Sequence, residues 1–469
     1  MAKQSNDRNQ QRSLLMANEP IPRLVFKMAI PTIVAFLINS IYSLADTYFV
    51  SQWSSDPAIS QAATAAVSVN SSLDQLIMMC GSMLAVGANS YIARLLGEGK
   101  REKASNVLST SFFLAFGIGA LLTVLGLIFM TPMVRILGAT ETCESYAIDY
   151  ATYVLLAAPL MASSFVMNQC LRSEGSATLS MIGMGAGGII NCVLDPIFII
   201  GMDMGVLGAS LATAISKLIS FVILVFPYIT RRSMLHLSFK NIRIQKDIIS
   251  EIVAVGSSSM FRSGLAVVAA ILLNNEAKSI GGDPLLASIG VSTKVMMFPF
   301  SIILGFSSGF QPVAGFNWGA KLYGRVRESY RFSSIVAIAG AVIMGAVLAI
   351  FAKPIAGLFG DSGGEMQQYG TLCIQLQCLA LPIQAWLTVV NMLCAGLGRA
   401  KEAFLLSTSR QGTCFIPILY PLVHFFGAYG VVSAQASADA LTLVLGIPIA
   451  IIVSKAIKKA EKQALETSV

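Results

Sequence analysis

Two aspartates stand inside apolar runs, where a carboxylate is costly and is usually there to act. Asn39, Tyr42 and Asp46 follow one another at i, i+3 and i+7, so in a helix they share one face. Asn191 and Asp195 are four apart and share a face of a second helix. Pro196 follows at once; it removes a backbone donor, tends to bend the helix, and frees a carbonyl near Cys192 as a further oxygen ligand. Thr213 lies about two turns into the next apolar run. Two carboxylates, an amide and a hydroxyl at one depth make an oxygen-rich pocket. Acids sharing such a pocket can exchange protons near neutral pH, and their oxygens equally suit Na⁺. The expected chemistry is reversible cation binding at Asp46, Asn191, Asp195 and Thr213, with H⁺ or Na⁺ as the ion and no organic cofactor.

Other charges fall in similar runs. Lys294 lies about 13 Å from the nearer end of its run by helix rise, too deep to reach water easily. It is expected to line a cavity or to pair with an acid, Asp74 being the candidate. Arg262 is expected to reach outward or pair with Glu251, Lys217 to pack or gate, and Asp439 to bond within its own half. Met184 and Met296 are expected to give a cavity a plastic apolar wall. Tyr42 and Phe165 offer aromatic faces for an organic cation. His236 and His424 are the only histidines, and no Walker loop, HExxH or GxSxG is present. Neither an enzyme nor ATP-driven transport by this chain alone is expected.

These residues need elements that tolerate an apolar solvent. Of 469 residues, 55% are hydrophobic and 12% charged. A soluble domain carries about 25% charged residues. The apolar stretches run to about 20 residues or more, enough to cross the ~30 Å hydrocarbon core. Each must satisfy its own backbone, which requires helices; the period-two alternation of a β-barrel is absent. Twelve spans are expected near 24–50, 64–93, 104–132, 145–171, 178–201, 205–230, 248–277, 285–316, 328–352, 366–396, 401–424 and 428–454. Residues 1–20 are polar and lack the apolar core of a signal peptide. Seven of eight cysteines lie in apolar spans and read as small core residues, not as a disulfide or metal framework.

The net charge of +8 sorts by side. With the N-terminus inside, the inner segments hold Arg23, Lys27, Arg94, Lys100, Arg101, Lys103, the central-loop cluster Arg231, Arg232, Lys240, Arg243 and Lys246, then Lys321, Arg325, Arg327, Arg399, Lys401 and the tail lysines 455–462. The outer loops hold Arg135, Lys278 and Lys353. This asymmetry places both termini in the cytoplasm and removes any need for a nucleic-acid partner.

Sliding the chain against itself by 222 residues aligns Gly97 with Gly319, Pro132 with Pro354 and Gly208 with Gly430. One inserted residue aligns Pro159 with Pro382, Asn168 with Asn391 and Gly175 with Gly398. Matched Pro, Gly and Asn fix backbone geometry and polarity, so the chain reads as a duplication. The fold expected is all-α, with twelve transmembrane helices in two parallel-repeat six-helix lobes. A pseudo-two-fold axis would run along the membrane normal, with a cavity at the interface between the halves. The expected parts are a cytoplasmic segment 1–23, an N-lobe 24–230, a cytoplasmic linker 231–247, a C-lobe 248–454 and a basic tail 455–469.

Tyr42-Ser-Leu-Ala-Asp46, the loop Ala93–Ala104 with its echo Asn317–Lys321, and Asn191-Cys-Val-Leu-Asp195-Pro-Ile-Phe198 resemble the MATE (multidrug and toxic compound extrusion) antiporters, in the MepA-like bacterial branch. The resemblance covers 24–455. It implies a bacterial cytoplasmic-membrane exporter of cationic or amphipathic drugs, driven by inflowing H⁺ or Na⁺ through alternating access of a rocker-switch kind. Asp46, Asn191, Asp195 and Thr213 match the cation site of the DinF-like type; Tyr42, Asn168 and Met184 match positions implied to line the substrate cavity. The NorM-like branch keeps acids in spans 7 and 10, but 263–275 carries no charge and span 10 offers only glutamines. Small cationic drugs and membrane lipid are the expected partners of a functional monomer. The alternative is a lipid-linked oligosaccharide flippase of the same superfamily, which Lys294 and Arg262 would suit.

Overall fold

Long runs of Leu, Ile, Val, Ala and Phe can close every backbone hydrogen bond within a helix, and helices are what form. The computed structural model describes residues 14–54, 56–230, 232–358 and 364–467, and among them there is no strand. Residues 1–13, Arg231 and 468–469, parts of the expected N-terminal segment, linker and tail, lie outside the described residues.

Spans 1 to 6 are Ile21–Ser51, Pro57–Gly97, Arg101–Ile128, Glu144–Ser173, Ala177–Pro196 and Gly205–Ile229. A π-helical turn, Ile197–Gly201, extends span 5. Lys246–Gly319 is two helices that meet at a kink at Gly282, whose φ of 59° and ψ of −151° are open only to glycine, giving spans 7 and 8. Span 9 is Tyr323–Ile350 and span 10 is Glu365–Gly396. Span 11 comes in pieces, Ala400–Thr408, the π turn Ser409–Thr413 and Phe415–Phe426; span 12 is Ala428–Thr467. Ten helices among the described residues are long and apolar enough to cross a membrane. The kink at Gly282 makes two crossings of one, and span 11 is the twelfth.

Span 12 runs on through the expected basic tail to Thr467. The segment 455–466 is rich in Lys, Ala, Glu and Gln, all strong helix formers, so nothing ends the helix. The linker is irregular apart from a 3₁₀ turn at Phe239–Asn241. Hydroxyls of span 3 satisfy its backbone: Ser105 accepts from His236 N at 3.2 Å and Thr110 from Arg243 N at 3.0 Å.

The chain forms two compact units. One takes Val34–Gly256 with the described residues up to Leu15; the other takes Met16–Ile33 and Ser257 onward. The expected lobe limits at 24 and 248 differ from these. The first part of span 1 belongs with the second half, and the first part of span 7, through Gly256, with the first half. Glycines make this assignment tight. In the first unit a Cβ on Gly87 would lie 2.1 Å from the Ile252 oxygen, and one on Gly256 1.8 Å from the Met83 oxygen. In the second, Gly305 and Gly309 meet the backbone of Ile33 and Ala29 at 2.7 and 2.5 Å. Small residues let membrane helices approach to backbone contact.

The duplication is visible in conformation. Gly175 and Gly398, which follow spans 4 and 10, have φ of +75° and +77°. Asn168 Nδ2 donates to the Ser180 carbonyl at 3.0 Å, and Asn391 Nδ2 to the Ala403 carbonyl at 3.0 Å. Each asparagine clasps the helix that follows its own. Asn168→Ala and Asn391→Ala should each lower stability by about 1–2 kcal/mol, read as thermal unfolding in detergent.

Candidate cation site

Span 1 carries Asn39, Tyr42 and Asp46 on one face, and Gly185 and Gly188 of span 5 allow close contact with Ile38 on that span. Asp46 is 7% exposed. Its Oδ2 accepts from the Tyr150 hydroxyl of span 4 at 3.1 Å, and its buried Oδ1 has no partner. Asp195, in the last turn of span 5 before Pro196, is 0% exposed. Its Oδ1 accepts from Asn191 Nδ2 at 3.1 Å, and its Oδ2 has no partner. Asn191 Nδ2 also donates to Thr213 Oγ1 of span 6 at 3.4 Å, while Asn191 Oδ1 has no partner. Three buried oxygens therefore lack a donor. Each such group costs about 1–3 kcal/mol in a folded protein, an outlay that a proton or a bound cation would remove.

A cavity of about 30 Å³ opens among Asn39, Tyr42, Met184, Asn191, Thr213 and Lys217. It has room for a water-sized species but not for an organic molecule. Five of the residues expected from sequence at the cation site or the substrate cavity thus line one small chamber with Lys217, beside the two aspartates. A groove of about 420 Å³ in the second unit, walled by Tyr330, Trp386 and Lys455 among others, carries no acid and is no rival for a cation.

Three residues of the cluster were not assigned to it from sequence. Tyr150 is the donor to Asp46. Lys217 Nζ donates to the Tyr42 hydroxyl at 2.9 Å and stands 4.7 Å from the centre of that ring. Asp74 of span 2 lies within electrostatic range of Lys217 and of Asp46, with a buried Oδ1 that has no partner. Within its own unit the base in electrostatic range of Asp74 is Lys217, which sequence reasoning had not paired with it. The signal for Lys217 was present, since it follows Thr213 by four residues and shares its helix face.

Lys294 is exposed and Met296 buried in the second unit. Asn168 is buried with its Nδ2 bonded to the Ser180 carbonyl, and it is not among the residues lining the 30 Å³ chamber. Glu251 pairs with Arg94 at 2.9 Å, not with Arg262, whose guanidinium donates to Ser259. Asp439 bonds within its own half, accepting from Arg410 at 2.6 Å.

The sequence pattern of the MatE family matches residues 31–197 and 260–420. The multidrug export protein MepA of Staphylococcus aureus (strain MSSA476) is 26% identical over 424 residues, covering 90% of this chain and 92% of that protein. MepA of Staphylococcus haemolyticus (strain JCSC1435) is 26% identical over 426 residues, 91% and 92% of the two chains. Among solved structures, an outward-facing multidrug resistance MATE family transporter of the MOP superfamily superposes with a TM-score of 0.88 at 24% identity, over 95% of this chain and 99% of that one. A MOP superfamily transporter from Pyrococcus furiosus Vc1 gives 0.88 at 23% identity, over 95% and 98%. The family pattern falls on both halves of the duplication, on spans 1 to 5 and again on spans 7 to 11, and this multi-pass membrane protein belongs to the MatE family.

Proposed function

We propose that the chain is a secondary active multidrug exporter of a bacterial cytoplasmic membrane. It expels cationic, amphipathic compounds in exchange for H⁺ or Na⁺, with both termini in the cytoplasm. The observation that carries the reading is the trio of unpartnered buried oxygens on Asp46, Asp195 and Asn191. Around them stand three acids, Asp46, Asp74 and Asp195, and one base, Lys217, an excess of two negative charges when all are ionised. Uptake of a cation on Asp46 and Asp195 removes charge that a drug cation would otherwise meet. Coupling requires a ligand that binds two states unequally, and the carboxylates supply that inequality.

Lys217 refines the mechanism. The aromatic face of Tyr42, an attractive seat for a drug ammonium, already holds the Lys217 ammonium. A drug cation reaching Tyr42 displaces Lys217 toward Asp74. Span 1 passes from one compact unit to the other just after Pro31, the point where its helix is weakest and bending is easiest.

The test is ethidium efflux from proteoliposomes under an imposed H⁺ gradient or, separately, a Na⁺ gradient. One of them should drive efflux. No ethidium movement under either would sink the reading and favour a carrier of anionic lipid-linked substrates.

A further inference from the structure

The groove of about 420 Å³ in the second unit has no part in the cation site. Its wall is Tyr330 of span 9, Trp386 of span 10 and a stripe of span 12 from Ile447 to Lys458. All of these belong to one compact unit. The stripe uses positions i, i+3, i+4, i+7, i+8 and i+11, which share one helix face. Over roughly 16 Å of helix rise its character changes in order. Ile447, Ala450 and Ile451 are apolar, Ser454 brings a hydroxyl, and Lys455 and Lys458 bring two ammonium groups.

The surroundings match a membrane boundary. Spans 9 and 12 are mostly exposed along their apolar stretches, while span 10, which packs against both, is mostly buried. Ile447 and Ile451 are 47% and 48% exposed, and Val444, Leu445 and Ile452 beside them are exposed as well. Span 9, with 28 residues, is about 42 Å long, about 12 Å more than the hydrocarbon core. Arg325, Glu328 and Arg331 put that excess at its first turns. Tyr330, about 10 Å from the start of the span, therefore falls where hydrocarbon meets headgroups. Tyrosine and tryptophan, each an apolar ring with one polar atom, gather at that level.

No acid lines the groove. Glu461, one turn beyond Lys458, is taken by Arg327 at 3.0 Å, and Glu466 by Lys462 at 3.8 Å. Among the described residues Lys455 and Lys458 form no ion pair.

We propose that this groove binds one anionic phospholipid. The phosphate bonds the two Nζ groups, the ester region lies beside Ser454 and Tyr330, and an acyl chain runs along Ile451, Ala450 and Ile447 past Trp386. A lysine is a point charge suited to phosphate, and lysines at a headgroup layer favour acidic lipid. Free phosphate would leave the apolar length of the groove empty, and a pure hydrocarbon would leave the lysines without an anion. The site needs only that span 12 crosses a membrane, so its failure would leave the efflux reading standing.

Of the three tryptophans, Trp53, Trp318 and Trp386, the last lines the groove. Brominated acyl chains quench a tryptophan they touch, and the Trp386 share is the difference between wild type and Trp386→Phe. Purified protein in mixed micelles is titrated with brominated phosphatidylglycerol or brominated phosphatidylcholine. Trp386 should be quenched at about tenfold less phosphatidylglycerol than phosphatidylcholine. Lys455→Gln or Lys458→Gln should reduce that ratio to about threefold, and the double variant to about one. Lys459→Gln, exposed on the same turn but outside the groove, should leave it unchanged. Equal quenching of the wild type by the two lipids would overturn the proposal without any variant having to fold. So would a double variant that keeps the wild-type ratio. A loss in Lys459→Gln as large as in Lys455→Gln would assign the preference to diffuse surface charge and overturn the site. Displacement by inorganic phosphate at the lipid's own concentration would mark a free-anion site and overturn the lipid.

Discussion

Asp195→Asn should abolish gradient-driven ethidium efflux while leaving the fold intact. Asn preserves the side chain's shape and the oxygen that accepts from Asn191 Nδ2 at 3.1 Å. The change falls on Oδ2, which has no partner in the protein. What is lost is the ability to alternate between a charged and a neutral group, and coupling depends on that alternation. A fall of about 100-fold in coupled efflux corresponds to roughly 2.8 kcal/mol of lost differential binding. Thermal stability in detergent should move by less than about 1 kcal/mol, in the range of an ordinary substitution. Tyr150→Phe should have a milder effect, because Asp46 loses a donor but keeps its charge. Efflux from the Asp195→Asn protein at the wild-type rate would show that coupling runs through another group.

Gly87→Ala should cripple the protein for a different reason. Its methyl would lie 2.1 Å from the Ile252 oxygen and 2.7 Å from the carbonyl carbon. These are backbone atoms of span 7 and cannot swing aside as a side chain would. Spans 2 and 7 must part, at a cost of about 3 kcal/mol, the upper end for overpacking. Gly256→Ala should behave alike, since its methyl would meet the Met83 oxygen at 1.8 Å. Gly117 and Gly340 are the controls. A methyl on either meets nothing within 4 Å, and both lie within helices, spans 3 and 9. Alanine there should stabilise by about 0.5–1 kcal/mol. Thermal unfolding of the four variants in one detergent would reveal the contrast, and equal effects at all four would refute it.

Much of this structure was legible in the chain because its signals are one-dimensional. A span must be long and apolar, so the twelve crossings could be read from length; the Gly281-Gly282-Asp283-Pro284 run marks the kink between spans 7 and 8. Asp46, Asn191, Asp195 and Thr213 could be grouped because helix period and depth place them alike. Tertiary choices were not legible. Helical period says which residues share a face, not which faces meet, so the nearness of Lys217 to Asp74 was missed and Tyr150 was passed over. Asn168 has a structural role that its spacing alone did not show. Its counterpart Asn391 makes the same bond to the next helix, so a polar residue kept in both copies serves the shared architecture. The acids lack such counterparts: 222 residues beyond Asp46 and Asp74 stand Val268 and Met296. The π turn of span 11 and the passage of spans 1 and 7 between units left no mark in hydropathy, because a lipid-facing and a protein-facing apolar residue look the same.

The central claim is that coupling ion and drug compete through the first-half carboxylates. It is tested most directly by measuring ethidium affinity for purified protein across H⁺ and Na⁺ concentrations, in wild type and Asp195→Asn. Wild-type affinity should weaken as one of the two ions rises, and the variant's affinity should ignore both. A wild-type affinity that does not change with either ion would contradict the account.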